Sequence, residues 1–161
     1  MLLLSVHPRH VDAILAGTKR VELRRRCPRM TSGPALIYAT APRMELVASF
    51  RIEGVIRQSL DVLWQEVVDL AGVSRWEFDC YFRGLTVGVA IGIADLVELK
   101  PIALNELRAA WGGFHPPQGF RYLIQADFDK LTGHVGRQRE SPIATGFCPA
   151  PVATGGTART A

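Results

Sequence analysis

The apolar positions of this chain fall into short runs whose spacing switches between that of helices and that of strands. Residues 5–17 read as an opening strand that feeds a helix. Pro8 suits a first helical position, where its missing N–H is no loss, and Val11, Ile14 and Leu15 form one apolar stripe. Gly17 stands where a left-handed C-terminal cap is wanted. Arg20-Val21-Glu22-Leu23-Arg24 then alternates, as a half-buried strand does. Val21 and Leu23 take one side; Arg20, Glu22, Arg24 and, further on, Arg26 take the other. A loop at 28–34 leads to a buried strand at 35–40, and a third strand follows at 45–56 with Gly54 marking a bulge.

Ser59 opens a helix in which Leu60, Leu63, Trp64, Val67 and Ala71 keep helical spacing, and Gly72 closes it. Ser74-Arg75-Trp76-Glu77 has the capping-box pattern of a second helix, running to Gly84. Residues 86–99 read as a strand that ends before Pro101, 103–111 as a short helix, 112–119 as a Gly/Pro-punctuated loop and 120–128 as a final strand. Trp64, Trp76 and Trp111 all fall on predicted helices and read as packing residues. Residues 131–161 show little periodicity and read as a flexible Gly/Pro/Ala/Thr-rich tail on a domain of residues 1–130. Strands at uneven intervals, with helices inserted and no βαβ rhythm, predict an α+β fold built on a small, mainly antiparallel β-barrel.

Composition narrows the class rather than the function. With 161 residues, 48% hydrophobic and 21% charged, the chain is not disordered, collagenous or fibrous. It has no run near the roughly 18 apolar residues of a membrane span, and His7-Pro8-Arg9-His10 interrupts the apolar start too early for a secretory signal. Cys27, Cys80 and Cys148 are widely spaced, which suits neither a disulfide framework nor a zinc site, so a cytoplasmic protein without metal or cofactor is expected. The net charge is +4, yet the first 29 residues hold seven Lys/Arg against two acidic residues. Such a concentration points to an anionic partner, the plainer alternative being a solvated arginine-rich strand edge.

Gly17-Thr18-Lys19-Arg20-Val21-Glu22-Leu23-Arg24 fits G-x-K-x-x-E-x-R at a predicted helix-to-strand junction. This resembles the signature of the ASCH domain family, relatives of the PUA domain. Other segments agree in order: Leu4 to Pro8, Leu36 to Thr40, Glu77 to Gly84 followed by Val87 to Ile93, and the closing Pro116-Pro117-Gln118-Gly119-Phe120-Arg121-Tyr122-Leu123 of a bacterial and archaeal branch. The likeness covers about residues 2–128. It implies a PUA-like barrel with a cleft beside the first helix, where family members are thought to bind RNA or nucleotides. Some relatives hydrolyse N4-acetylcytidine, at least one is reported to cut RNA, and a eukaryotic namesake suggests a protein adaptor in a transcription-related complex.

The candidate residues follow. Lys19, just past the helix-ending glycine, is open to three readings: a surface cation paired with Glu22, a phosphate or base contact, or a nucleophile or base with a lowered pKa. Glu22 and Arg24 lie two apart on one strand face, so an ion pair lining the cleft is expected; the carboxylate is also suited to accept from an exocyclic amine. Arg20 and Arg26 would meet the backbone of RNA. Tyr38 and Thr40 share a strand face and would contact a base, or Tyr38 is simply core. Gln118 and Arg121 bracket the Pro-Pro loop and would meet a base edge or phosphate. Were the cleft that of a hydrolase, Lys19 and Glu22 would be catalytic. The acetylcytidine-hydrolysing relatives carry a threonine where this chain has Glu22, and draw a glutamate from the helical insertion, for which Glu66 and Glu77 are candidates.

Overall fold

The computed structural model describes residues 1–127; the predicted tail at 131–161, and Phe128 at the end of the last predicted strand, lie outside them. The elements in chain order are β1 (Leu2–Val6), α1 (Pro8–Leu15), β2 (Val21–Arg24), β3 (Gly33–Ala39), β4 (Glu45–Ser59), α2 (Leu60–Val67), α3 (Arg75–Tyr81), β5 (Val87–Ala103), α4 (Leu104–Ala110) and β6 (Phe120–Tyr122). The six strands form one sheet in the order β2-β5-β4-β3-β1-β6. Every pairing is antiparallel except β1 with β3, which run parallel because α1 and β2 carry the chain across between them. The result is an α+β fold with a mixed sheet curled into a half-barrel. No helix among the described residues is long and apolar enough to cross a membrane.

Three apolar layers hold the sheet. Leu2, Leu4, Val6, Ile37, Ala48, Phe50, Ile52, Val89 and Ile91 fill the concave side, with Val11 and Ile14 of α1 packed into them. Leu3, Leu36, Tyr38, Leu46 and Leu99 meet Leu107 and Phe114 on a second face. Val21, Leu23, Ile56 and Ala90 meet Leu63, Val67, Phe78 and Phe82 of the α2–α3 insertion. The insertion lies close: a Cβ on Gly88 would come within 2.6 Å of the Leu63 side chain and 2.9 Å of Phe82.

Several boundaries differ from the sequence expectation. β1 already begins at Leu2, so the apolar opening is strand and not a lead-in. β5 continues through Pro101 to Ala103. Its register against β4 jumps from Ala48↔Glu98 to Leu46↔Ile102, so Pro101 sits in a bulge where no ladder N–H is required of it. β6 ends at Tyr122, and residues 125–127 turn helical, which shortens the strand expected over 120–128. The bulge in β4 falls at Glu53–Gly54, where the glycine marked it.

Candidate nucleic-acid interface

The site begins with the way α1 stops. Gly17 takes φ +75°, and the N–H groups of Thr18 and Lys19 both donate to Ala13 O at 3.0 Å. This tight turn drops Lys19 onto the end of the α2 region instead of into solvent. Its ammonium donates to Ala71 O at 2.6 Å and lies 3.7 Å from Glu22 Oε2, and the side chain is 2% exposed. Its stem packs on Gly72, whose φ is +59° and where an added Cβ would stand 3.1 Å from Lys19 Cβ. The next residue carries the strand on: Arg20 N–H donates to Leu70 O and its carbonyl accepts from Ile93 N–H.

Along β2 the alternation then does what the sequence pattern requires. Leu23 pairs with Ala90 in the insertion core, while Glu22 and Arg24 pair with Ile91 and Val89 and so share their concave face. Arg24 Nη2 donates to Ser5 O at 2.9 Å and lies 3.1 Å from Glu22 Oε1, which ties the edge strand β2 to β1 where no ladder joins them. Three ionic side chains are thus buried together with two positive charges and one negative. Glu22 Oε2 and Arg24 Nε are buried without a hydrogen-bond partner among the described residues. Burial holds the Lys19 ammonium below its ordinary pKa; Glu22 opposes that, and Arg24 and Arg9 reinforce it.

Above this cluster lies a cavity of about 470 Å³ between β1, α1, β2 and α3, lined by Lys19, Glu22 and Arg24 together with His7, Arg9, His10, Trp76, Glu77, Cys80 and Tyr81. His7 caps α1 by accepting the Arg9 N–H on Nδ1 at 3.3 Å, which leaves a proton for Nε2 in the neutral ring. His10 is half-buried, and its pKa is lowered by burial and then by the charge of Lys19. Arg9 bridges α1 to α3 through Glu77 Oε1 at 2.6 Å. Glu77 also accepts from Ser74 N–H and its hydroxyl, completing the capping box, and these bonds with Arg9 hold its pKa at about 2. Tyr81 donates to Leu23 O and so pins α3 to β2. Trp76 stands on the rim, 74% exposed. A second hollow of about 820 Å³ adjoins the first through Arg24 and Tyr81, and is lined further by Arg25, Arg26, Leu85, Gln118, Gly119 and Phe120.

The predicted residues therefore divide. Lys19, Glu22 and Arg24 converge as expected, though buried as an ion cluster rather than free at a barrel mouth. Arg26 and Gln118 line the adjoining hollow. Arg20 is half-buried and lines neither hollow. Tyr38 is buried against Phe114 in the second core layer, and Thr40 begins the turn after β3, its carbonyl accepting from the N–H groups of Arg43 and Met44. Arg121 lies 4.4 Å over the Trp111 ring and lines neither hollow. Glu66 does not line the cavity; Glu77 does, but is held by Ser74 and Arg9. Trp76 is the reverse of the packing residue expected. Phe78 and Phe82, four apart, mark the buried stripe of α3, and Trp76, two positions from Phe78, falls on the opposite side. His7 and His10 join the site without a signal in the sequence, because nothing there shows that α1 faces β2 across a hollow. Among the described residues no three His, Cys, Asp or Glu side chains group as metal ligands.

A mixed sheet curled into a half-barrel with several helices around it is a PUA-like fold. The ASCH domain model matches residues 4–116. The chain is 30% identical over 129 residues to a protein of Zymomonas mobilis named "ASCH domain-containing ribonuclease", covering 80% of this chain and 87% of that one. The crystal structure of ASCH from Zymomonas mobilis superposes with a TM-score of 0.80 at 28% identity, over 84% of this chain and 96% of that one. The N-terminal domain of McrB from Staphylothermus marinus shares the fold alone, with a TM-score of 0.52 at 12% identity. The chain belongs to the ASCH domain family.

Proposed function

We propose that this protein binds single-stranded RNA, seating one unstacked nucleotide in the cavity between α1, β2 and α3. The observation that carries this is the pairing of a buried, net-positive floor with an exposed tryptophan on its rim. The volume falls within the range of small-ligand sites. Glu22 Oε2, an acceptor 3.7 Å from the Lys19 ammonium, and Arg24 Nε, a donor, make no hydrogen bond among the described residues, which suits a base edge offering the opposite pair. Trp76 offers a stacking face, and base–aromatic stacking contributes about 1–3 kcal/mol. Arg25, Arg26 and Gln118 in the adjoining hollow would follow the sugar–phosphate backbone. An A-form duplex keeps its bases stacked and so cannot fill the cavity.

The test is a titration of fluorescein-labelled single-stranded RNA and of the matching duplex, at rising salt. The expected result is tighter binding of the single strand, with a log–log salt slope near −0.7 per phosphate contacted. Equal affinity for duplex, or no binding at low salt, would remove the proposal. A second reading, a ribonuclease acting in the same cavity, is favoured by His7 and His10 beside the buried cations and by the name of the Zymomonas mobilis relative. Incubation of labelled RNA with the folded protein, resolved on a denaturing gel, distinguishes binder from nuclease.

A further inference from the structure

We infer that the second hollow binds the terminal phosphomonoester of the RNA strand, so that the protein selects a strand end that carries a phosphate. This rests on the RNA-binding reading above and adds to it the chemical group at the end of the bound strand. The hollow lies at the open seam of the half-barrel. β2 and β6 are the two edges of the sheet. Arg24, Arg25 and Arg26 line the hollow where β2 ends, and Gln118, Gly119 and Phe120 line it where β6 begins. Ser5 N–H donates to Gly119 O and Leu123 N–H to Met1 O, which puts the odd-numbered residues of this stretch on the β1 ladder. Phe120 therefore turns its N–H away from β1, which leaves a main-chain donor at the seam.

The charges of the two hollows differ. In the cavity every lysine and arginine has a carboxylate: Arg9 pairs with Glu77, and Lys19 and Arg24 share Glu22. No carboxylate lines the second hollow among the described residues. Arg25 and Arg26 are exposed and form no ion pair among those residues; Arg25 Nη2 donates to Arg83 O at 3.2 Å. Arg24 is 8% exposed, and its Nε has no hydrogen-bond partner among the described residues. Two guanidinium charges at the seam thus lack a counter-charge. A phosphomonoester carries about −1.5 to −2 charges at pH 7 and offers three terminal oxygens. A phosphodiester within the chain carries a single charge. The monoester therefore matches both free guanidinium groups, whereas the diester leaves one unmatched. Arginine forks hold phosphate oxygens in pairs, and the Gln118 amide and the Phe120 N–H add neutral donors. The two hollows share Arg24 and Tyr81 as a common wall. A nucleotide whose base occupies the cavity has its own phosphate at the seam, and a terminal nucleotide brings its monoester there.

The experiment titrates the full chain into one internally labelled single-stranded RNA, read by anisotropy, in four forms: hydroxyl at both ends, 5′-phosphate, 3′-phosphate, and the methyl ester of whichever phosphate binds tighter. A phosphate at one end should tighten binding about 10- to 100-fold, the worth of a hydrogen bond between charged groups. The end that gains fixes the polarity of the strand in the site. The methyl ester, which removes one charge and one free oxygen, should forfeit most of the gain. Arg25→Ala with Arg26→Ala changes two exposed side chains, and should bring the phosphorylated and unphosphorylated strands within about threefold of each other. Trp76→Ala should weaken both alike and leave their ratio unchanged, because the ring acts on the base. Equal affinity for all four forms would overturn the inference and leave the binding reading intact. So would equal gains at both ends, full affinity of the methyl ester, or a preference that survives in the double variant. Failure of every form to bind would overturn the binding reading, and the terminal site with it.

Discussion

Replacing Glu22 by glutamine keeps the shape of the side chain and removes the one negative charge between two buried cations. Glu22 lies 3.1 Å from Arg24 Nη2 and 3.7 Å from Lys19 Nζ. At an effective dielectric near 20, each contact corresponds to about 4–5 kcal/mol of Coulomb attraction. Part of that returns, because the carboxylate no longer has to be desolvated and the amide can still accept from Arg24. Breaking a buried ion pair at one partner costs about 3–5 kcal/mol, since the remaining charges stay buried. The expected loss is about 3 kcal/mol, which for a domain of this size is a fall of about 10 °C in Tm. Urea unfolding of Glu22→Gln should show the lower midpoint at an unchanged slope. The loss should also hardly vary with salt, because the pair is shielded from counterions. A cost below about 0.5 kcal/mol, or one that disappears in high salt, would mean that water reaches the cluster and that the floor of the cavity is not the closed ionic device described above.

Trp76→Ala should weaken single-stranded RNA binding about 5- to 100-fold by loss of stacking, with Tm nearly unchanged because the ring is 74% exposed; a filter-binding series and a melting curve check both. Arg25→Ala with Arg26→Ala should weaken binding alike for all sequences and reduce the salt slope by about 0.7 for each phosphate no longer held, read from the same titration. The Glu77 carboxyl is held at about 2, below its ordinary 4.5, so its contribution to stability is complete above pH 4.5 and is lost as pH falls toward 2. Glu77→Gln should therefore lower Tm by a constant amount from neutral pH down to about 5, and the gap from the parent should close as the pH approaches 2. Gly72→Ala should cost about 1–3 kcal/mol, since the position has φ +59° and a Cβ there would press on Lys19; urea unfolding measures it.

Local chemistry makes some features legible in the sequence. Pro8 and Gly17 bracket α1, Ser74 and Glu77 form the capping box, and the alternation of β2 puts Glu22 and Arg24 on one face. Each is decided within a few residues of chain. What depends on distant partners is not legible. The parallel pairing of β1 with β3 and the bulge that absorbs Pro101 are set by which strands meet. The sequence does not say which face of its strand Tyr38 takes, so a cleft position and a core position look alike; the ring packs on Phe114, far along the chain. Lys19 is legible as a residue of interest but not as a buried one, because its partner Ala71 O comes from the end of the α2 region. His7 and His10 come to line a cavity only where α3 packs across from α1.

The claim that the cavity beside α1 receives the RNA base is tested most directly by location. A single-stranded RNA carrying a photoreactive 4-thiouridine, irradiated in complex with the full chain and digested, gives cross-linked peptides that mass spectrometry assigns to residues. Cross-links are expected at Trp76 or Tyr81 on the cavity wall, competed away by unlabelled RNA. Cross-links confined to Trp111 and Tyr122, which line neither hollow, would contradict that claim.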